Sequence, residues 1–367
     1  MQNSTEISIN SSQRTYSILV GENNLSDLPS VLIKDFAAKK VFIVSDEYVL
    51  SIYKDKLKKI FDPFKSLKSN FFSLPQGEKT KSNEKVQVLY SWLIENKCDR
   101  HSIIVAFGGG VIGDAVGFVA STFLRGIRLV QVPTTLLSMV DSSVGGKVGI
   151  NHEQGKNLIG AFYPPHLVIQ DISLLSTLKK REFSAGLAEC VKHSLISSKS
   201  DFEWTFDNRN EIFNSSQSHL SNYIRKNILI KANVVEKDEK EIGIRAFLNF
   251  GHTFGHAIEK EYGYSNKVLH GEGVSLGMIA ALKISEYCFN LDPNVLNRTR
   301  TLLNFFSLPT KMKLPPLEKL LESMSRDKKN RSDHINFVLL SEIGSPILKD
   351  GIDQTIIEDA YNFINAT

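Results

Sequence analysis

Ser102-Ile-Ile-Val-Ala-Phe-Gly-Gly-Gly-Val-Ile-Gly-Asp114 decides the fold. The apolar run Ser102–Phe107 reads as a buried strand, the consecutive glycines as a tight turn, and the residues after them as the start of a helix. Gly108, Gly110 and Gly113 satisfy the G-x-G-x-x-G spacing in the strand–turn–helix context it requires. Glycines there let the backbone approach a pyrophosphate, and a helix N-terminus favours the anion. The acidic partner expected about 20 residues later for a ribose is missing, because Arg128–Thr135 contains none. Asp46, ending the Val41–Ser45 run, is the nearest substitute. A glycine turn serving only chain geometry is the bland alternative. A membrane span over the nearly all-apolar Ile103–Ala120 is disfavoured by Asp114 and the glycines inside it.

Outward from this turn, β-prone apolar runs recur at Tyr16–Val20, Val41–Ser45, Ser69–Leu74, Arg128–Val132 and Leu167–Ile169. Helical patterns such as Glu84–Asn96 lie between them. Strand–helix alternation implies a largely parallel sheet covered by helices. From about Thr177 longer helical periods take over: Phe183–Ser197, His219–Glu236, Thr253–Glu261, Gly271–Phe289 and Val295–Phe306, with one short strand at Ile335–Leu340. The expected fold is therefore an α/β N-terminal nucleotide-binding domain over 1–177 and a mostly α-helical C-terminal domain over 178–367. Two domains also suit 367 residues, at roughly 100–200 residues each.

Bulk properties narrow the function. With 42% hydrophobic and 23% charged residues, the chain is an ordinary globular protein. A net charge of +4, without basic runs interleaved with aromatics, argues against nucleic acid. Cys98, Cys190 and Cys288 form no CxxC pair, and the first ten residues lack the blocks of a secretory signal. A reduced, cytoplasmic protein with no membrane partner is expected.

Chemistry concentrates in Leu248-Asn-Phe-Gly-His-Thr-Phe-Gly-His-Ala-Ile-Glu259 and Leu269-His-Gly-Glu-Gly-Val274. His252 and His256 stand at i and i+4 on one helix face, and His270 follows closely. Three of nine histidines within nineteen residues point to a metal site, since open catalytic sites commonly use three protein ligands. The zinc-protease signature fails because Thr253 occupies the place of its Glu. Asp141-Ser-Ser-Val-Gly-Gly-Lys147 and Gly155-Lys156-Asn157 add lysines at glycine turns, a common way to hold phosphate. Walker A is excluded, as neither lysine is followed by Ser or Thr. Glu189 and Lys192 share a helix face at i, i+3; the choice there is between a surface salt bridge and a metal-binding carboxylate beside a phosphate-binding lysine.

These pieces resemble the 3-dehydroquinate synthase family of sugar phosphate cyclases. The matching stretches are Phe107–Asp114, Gln131-Val-Pro-Thr-Thr-Leu-Leu137, Asp141–Lys147, Gly155-Lys-Asn-Leu-Ile-Gly-Ala-Phe162, Gly186-Leu-Ala-Glu189, Arg245–Glu259, His270-Gly-Glu272 and Arg326-Asp-Lys-Lys329. They run in order from about residue 41 to 340. The resemblance implies a dehydroquinate synthase-like fold, with the helical domain binding metal. It implies zinc, with cobalt as a substitute, on Glu189, His252 and His270, and it moves His256 from ligand to substrate and proton transfer, together with Glu241. It implies NAD on Asp46, Glu78, Lys81, Gly110, Val111, Ile112, Gly113, Asp114, Thr134, Thr135, Lys147, Lys156 and the Leu174, Leu175, Ser176, Thr177 turn. Substrate contacts fall on Asp141, Lys147, Lys156, Asn157, Lys192, Lys231, Arg245, Asn249, His256 and Lys328 (or Lys329). Arg125 matches a residue that reaches the phosphate across a homodimer interface.

The implied activity is a carbon–oxygen lyase of the shikimate route to chorismate and the aromatic amino acids. It converts 3-deoxy-arabino-heptulosonate 7-phosphate into 3-dehydroquinate and phosphate through transient oxidation by NAD, β-elimination, re-reduction and intramolecular aldol closure. Another sugar phosphate cyclase, a metal-dependent polyol dehydrogenase and a non-catalytic metabolite-binding protein are the alternatives. Retention of Lys231, Arg245, Asn249 and the Asp327-Lys-Lys329 turn opposes the first, the phosphate-type lysines oppose the second, and retention of every ligand and of Lys147 opposes the third. Cys190, Val148 and Gly273 depart from the usual family residues without removing a ligand or a charge.

Overall fold

The computed structural model describes residues 4–214, 217–326 and 335–366. The chain divides into two units, Met1–Leu178 and Lys179–Thr367. In the first, seven of its nine strands form one sheet: β1 (Thr5–Asn10), β2 (Thr15–Gly21), β3 (Lys40–Asp46), β4 (Lys68–Leu74), β5 (Ile103–Gly108), β6 (Arg128–Pro133) and β9 (Leu167–Asp171). Their spatial order is β1-β2-β9-β6-β5-β3-β4. Every neighbouring pair is parallel except the antiparallel β1–β2 edge.

Successive side chains of a strand point to opposite faces, and both faces here are covered. Val41, Ile43, Val105 and Val130 pack with α1 (Leu28–Phe36) and α2 (Glu47–Phe61), while Phe42, Val44, Ile104 and Leu129 pack with α3 (Asn83–Glu95) and α4 (Gly110–Thr122). That explains why β5 is buried at every position and reads as a continuous apolar run. Local caps start the helices. Asp46 accepts the Val49 N–H at 2.9 Å at the head of α2, and Ser82 accepts that of Lys85 before α3.

Two segments differ from the sequence reading. Thr5–Asn10 is a strand, although its alternate residues are polar; as an edge strand it presents one face to solvent, with Ile7 and Ile9 buried. The polar, glycine-rich stretch from Lys147 to Phe162 is a hairpin of β7 (Lys147–His152) and β8 (Gly155–Phe162). A Cβ on Gly160 would fall 2.4 Å from the Val148 carbonyl, so this glycine serves close strand pairing.

The second unit is mostly helical: α5 (Lys180–Ser197), α6 (Lys199–Asp207), α7 (Arg209–Phe213), α8 (Gln217–Lys237), α9 (His252–Glu261), α10 (His270–Phe289), α11 (Pro293–Phe305), α12 (Leu317–Arg326) and α13 (Gln354–Ile364). The single strand expected near 335–340 is one arm of a hairpin, β10 (Phe337–Glu342) with β11 (Ser345–Lys349). None of the described helices is long and apolar enough to cross a membrane.

Helix α10 lies at the centre of this unit, packed against α5, α9, α11 and α13. Its approach is very close. A Cβ on Gly271 would sit 1.9 Å from the Ala185 carbonyl oxygen of α5, and one on Gly277 1.8 Å from that of Gly251. Backbone cannot yield as a flexible side chain does, so overpacking here separates helices. Gly277→Ala is expected to cost at least about 1–3 kcal/mol, read as a fall of several degrees in Tm by calorimetry. A variant with wild-type Tm would contradict this packing.

Candidate active site

Three helix termini and faces converge in the helical unit. Glu189 comes from the middle of α5, His252 opens α9 and His270 opens α10. The His252 Nε2 lies 3.3 Å, and the His270 Nε2 3.2 Å, from the same Glu189 oxygen, Oε1. One ligand atom from each of the three residues falls within 4.8 Å of the others, a set that could hold a metal ion. The outer nitrogens are engaged elsewhere: His252 Nδ1 faces the Phe250 carbonyl at 3.2 Å and His270 Nδ1 the Glu259 carboxylate at 2.8 Å. Each imidazole therefore turns Nε2 inward, as a ligating histidine does when its other N–H is fixed.

The electrostatics suit a cation. Glu189 is fully buried. Burial alone would raise its pKa, but Lys192 and His252 nearby outweigh it and hold the carboxyl well below the usual range. Burial also lowers His252, to about 4 against the pull of Glu189, so this imidazole is neutral near pH 7. For His270 the desolvation is overcome by the Glu259 and Glu189 carboxylates, which raise it to about 10. A divalent cation would meet the same carboxylates. One carboxylate and two imidazoles with further positions open is the donor set of a catalytic transition-metal site.

His256 stands apart from this set. Its ring centroid is 5.1 Å from that of His252, and the residue is exposed. The i, i+4 spacing alone pairs His252 with His256, whereas the Glu189–His252–His270 set that the resemblance implies is the one whose ligand atoms lie together here. Spacing places two residues on one face but does not set which of them meets a carboxylate from another helix.

Cations surround the cluster. Lys192 is buried and its Nζ contacts Glu189 Oε2, so the pair is an interior ion pair rather than a solvated one. Lys231, buried on α8, and Arg245, buried on the 3-10 turn Ile244–Asn249, belong to elements that pack on α5. The Arg245 N–H donates to Asp238 at 3.0 Å and its guanidinium to the Glu239 carbonyl. Asn249 donates to Glu241 at 3.1 Å, and Glu241 has a left-handed backbone, φ 57°. Lys328 and Lys329 lie outside the described residues.

The other expected residues fall in the N-terminal unit. The glycine turn joins β5 to α4, with Gly109 as the N-cap. A Cβ on Gly110 would meet the Ser142 hydroxyl at 2.9 Å, and one on Gly109 the Thr135 methyl at 3.2 Å, so any side chain would push this backbone outward. Thr134 Oγ1 is buried beside it without a hydrogen-bond partner. Lys81 is buried and bonds Asp114 at 2.7 Å and Asn157, with Glu78 at 3.8 Å. Lys156 lies 3.9 Å from Glu78. Burial pushes the Asp114 carboxyl up against the pull of Lys81, and also raises that of Asp46, whose Oδ1 caps α2. Thr177 bonds the Tyr53 hydroxyl at 2.8 Å, tying the Leu174–Thr177 turn to α2. Lys147 is exposed at the start of β7, and Asp141 lies on a wide helical turn, Ser138–Ser142. Arg125 is exposed with φ 66°.

Two residues near the cluster were not singled out from sequence. Glu259 sits at i+7 from His252, two turns along the same helix face, and that spacing was a usable signal. Glu272 accepts the Leu269 N–H at 2.9 Å and two hydrogen bonds from Arg181, at 2.6 and 2.8 Å, locking the head of α10. Its S/T-free cap gives no capping-box pattern to read.

A two-unit molecule with a glycine-turn α/β sheet and a Glu/His cluster on helices defines a class of metal- and nucleotide-dependent enzyme folds. The comparisons with known proteins place it more closely. Residues 71–185 match the family model of the 3-dehydroquinate synthase N-terminal domain, and residues 186–330 that of the C-terminal domain. The chain is 43% identical to 3-dehydroquinate synthase of Geotalea uraniireducens over 347 residues, covering 92% of this chain and 94% of that protein. It is 41% identical to that of Vibrio atlanticus, covering 97% and 98%. Among solved structures it is similar to 2-deoxy-scyllo-inosose synthase complexed with carbaglucose-6-phosphate, NAD+ and Co2+: TM-score 0.87, 29% identity, covering 97% of this chain and 98% of that one. The chain belongs to the 3-dehydroquinate synthase family.

Removing one member of a buried ion pair leaves an uncompensated charge, at about 3–5 kcal/mol. Lys192→Met is therefore expected to lower the unfolding free energy of the metal-free protein by that order. Denaturant titration checks it, and an unchanged midpoint would show that Lys192 does not compensate Glu189.

Proposed function

We propose that this chain is a 3-dehydroquinate synthase, releasing phosphate from 3-deoxy-arabino-heptulosonate 7-phosphate and closing the carbocycle. The observation that carries the reading is the Glu189–His252–His270 cluster with buried Lys192, Lys231 and Arg245 supplied by the same helical unit. A bound divalent cation, zinc or cobalt, supplies a Lewis acid for an alcohol oxygen, and NAD a reversible hydride acceptor.

The chain's own residues bind and orient. Glu189, His252 and His270 would hold the cation. The substrate carries a phosphate and a carboxylate, so both ends need cations. Lys192, with Lys147, Lys156 and Asn157 from the N-terminal unit, is assigned to the phosphate; Lys231 and Arg245, supported by Asn249, to the carboxylate. Fixing both ends orients the reacting carbons, an effect that can supply several kcal/mol. Exposed His256, beside the ligand pair, is placed to move a proton, with Glu241 on the Asn249 side and Asp141 as a further substrate contact.

For NAD, close-packed Gly110, with Val111, Ile112 and Gly113 in the first turn of α4, leaves backbone N–H groups for a pyrophosphate. The buried Thr134 hydroxyl, Thr135, Asp46, the Glu78–Lys81–Asp114 cluster and the Leu174–Thr177 turn complete the set. The reading also includes a cytoplasmic homodimer, with the exposed Arg125 turn reaching the partner's phosphate.

Purified protein with zinc, sub-stoichiometric NAD and the heptulosonate phosphate is expected to release many phosphates per NAD without accumulating NADH. Stoichiometric NADH would identify a polyol dehydrogenase instead, and turnover only of sugar phosphates lacking a carboxylate would identify another cyclase. Arg245→Ala is expected to raise KM at least about tenfold, since a truncated charge contact costs 2 kcal/mol or more. Zinc content should stay at the wild-type level. An unchanged KM would remove Arg245 from the carboxylate site.

A further inference from the structure

We propose that Glu259 is a positioning residue for the metal centre, holding the His270 ring so that its Nε2 faces Glu189 and His252. The inference rests on the reading of those three residues as metal ligands.

The geometry is a relay through one ring. His270 Nδ1 lies 2.8 Å from Glu259 Oε1, and His270 Nε2 lies 3.2 Å from Glu189 Oε1. The imidazole is thus suspended between two carboxylates, one on each side. Both are interior: Glu259 is 4% exposed and Glu189 0%. A buried carboxylate persists only where its charge is used, and here it receives the N–H of a candidate ligand. That hydrogen bond fixes the ring's orientation, with Nε2 turned inward to where a metal would take the place of its proton.

Helix α9 makes the coupling direct. His252 and Glu259 stand two turns apart on one face, so the helix that contributes one ligand also orients another from α10. Helix α10 packs against the carboxylate's stem: a Cβ at Gly273 would lie 3.4 Å from Glu259 Cγ, at van der Waals contact. His256, Glu259 and His270 also bring ligand atoms within 4.8 Å of one another. That set would make Glu259 a ligand, which the experiment distinguishes.

Glu259→Gln and Glu259→Ala in the full chain are compared with wild type. The readouts are zinc Kd by chelator competition, zinc per chain, the visible absorption of the Co2+ form, and the Tm of the metal-free protein. The expected result is one metal per chain with affinity reduced about 10–100-fold. Gln, which still accepts the Nδ1 hydrogen bond, should lie at the lower end with a metal-free Tm near wild type. A shifted Co2+ spectrum should accompany it. Wild-type zinc affinity in Glu259→Gln overturns the proposal, whatever the stability of the Ala variant. Loss of stoichiometric binding in Glu259→Gln also overturns it, by making Glu259 a ligand. Glu189→Gln serves as the control: retained wild-type affinity there would overturn the underlying ligand assignment, independently of Glu259.

Discussion

Three helices can bring a carboxylate and two imidazoles to one point because glycines stand where those helices touch. Gly271 meets the α5 backbone at Ala185, Gly277 meets Gly251, and a Cβ on Gly255 would lie 3.1 Å from the Gly273 carbonyl. Each contact is backbone to backbone. A methyl group at Gly271 or Gly277 would drive the axes apart by an ångström or more, beyond what a positioned site tolerates, and one at Gly255 by a few tenths of an ångström. Gly251 carries a second demand, since its φ of 81° opens α9 in a left-handed turn and aims His252 from the first helical position. The candidate site is a consequence of helix packing before it is a consequence of ligand chemistry.

Close packing concentrates charge. Glu189, Glu259, Lys192 and Arg245 are all buried, an expensive set unless each charge has a counterpart. The pairing is distributed: Lys192 and the two histidines answer Glu189, while Glu259 answers His270 from the outside. A similar economy appears in the N-terminal unit, where buried Lys81 gathers Asp114, Glu78 and Asn157 from a helix, a turn and a hairpin. These networks hold polar groups ready for anionic and cationic ligands in an interior where each interaction is stronger than in water.

Much of the fold was legible. The runs at Val41–Ser45 and Ser102–Phe107 are continuous because both sheet faces are covered, and they fall within β3 and β5. The helical periods from Phe183, His219 and Gly271 correspond to α5, α8 and α10. Strand β1 escaped because an edge strand with one wet face is short on apolar signal. The Lys147–Phe162 hairpin escaped because its glycines read as loop, whereas Gly149 and Gly160 face each other across the ladder, where side chains have no space. At the site, the i, i+4 histidines drew the first metal reading, yet the two residues that cluster with His252 lie 63 positions before it and 18 after it.

The sequence by itself determined the alternation of strand and helix, the glycine turn at the end of β5 and the residue types available for metal and phosphate. Those are properties of short stretches, governed by periodicity, backbone freedom and side-chain chemistry within a few residues. Only the tertiary structure decided how close Glu189 comes to His252 and His270, that Lys192 is interior, and that Glu259 stands behind the His270 ring. Each of those facts depends on which helix faces approach one another and how closely. That distance is set by packing between elements far apart in the chain.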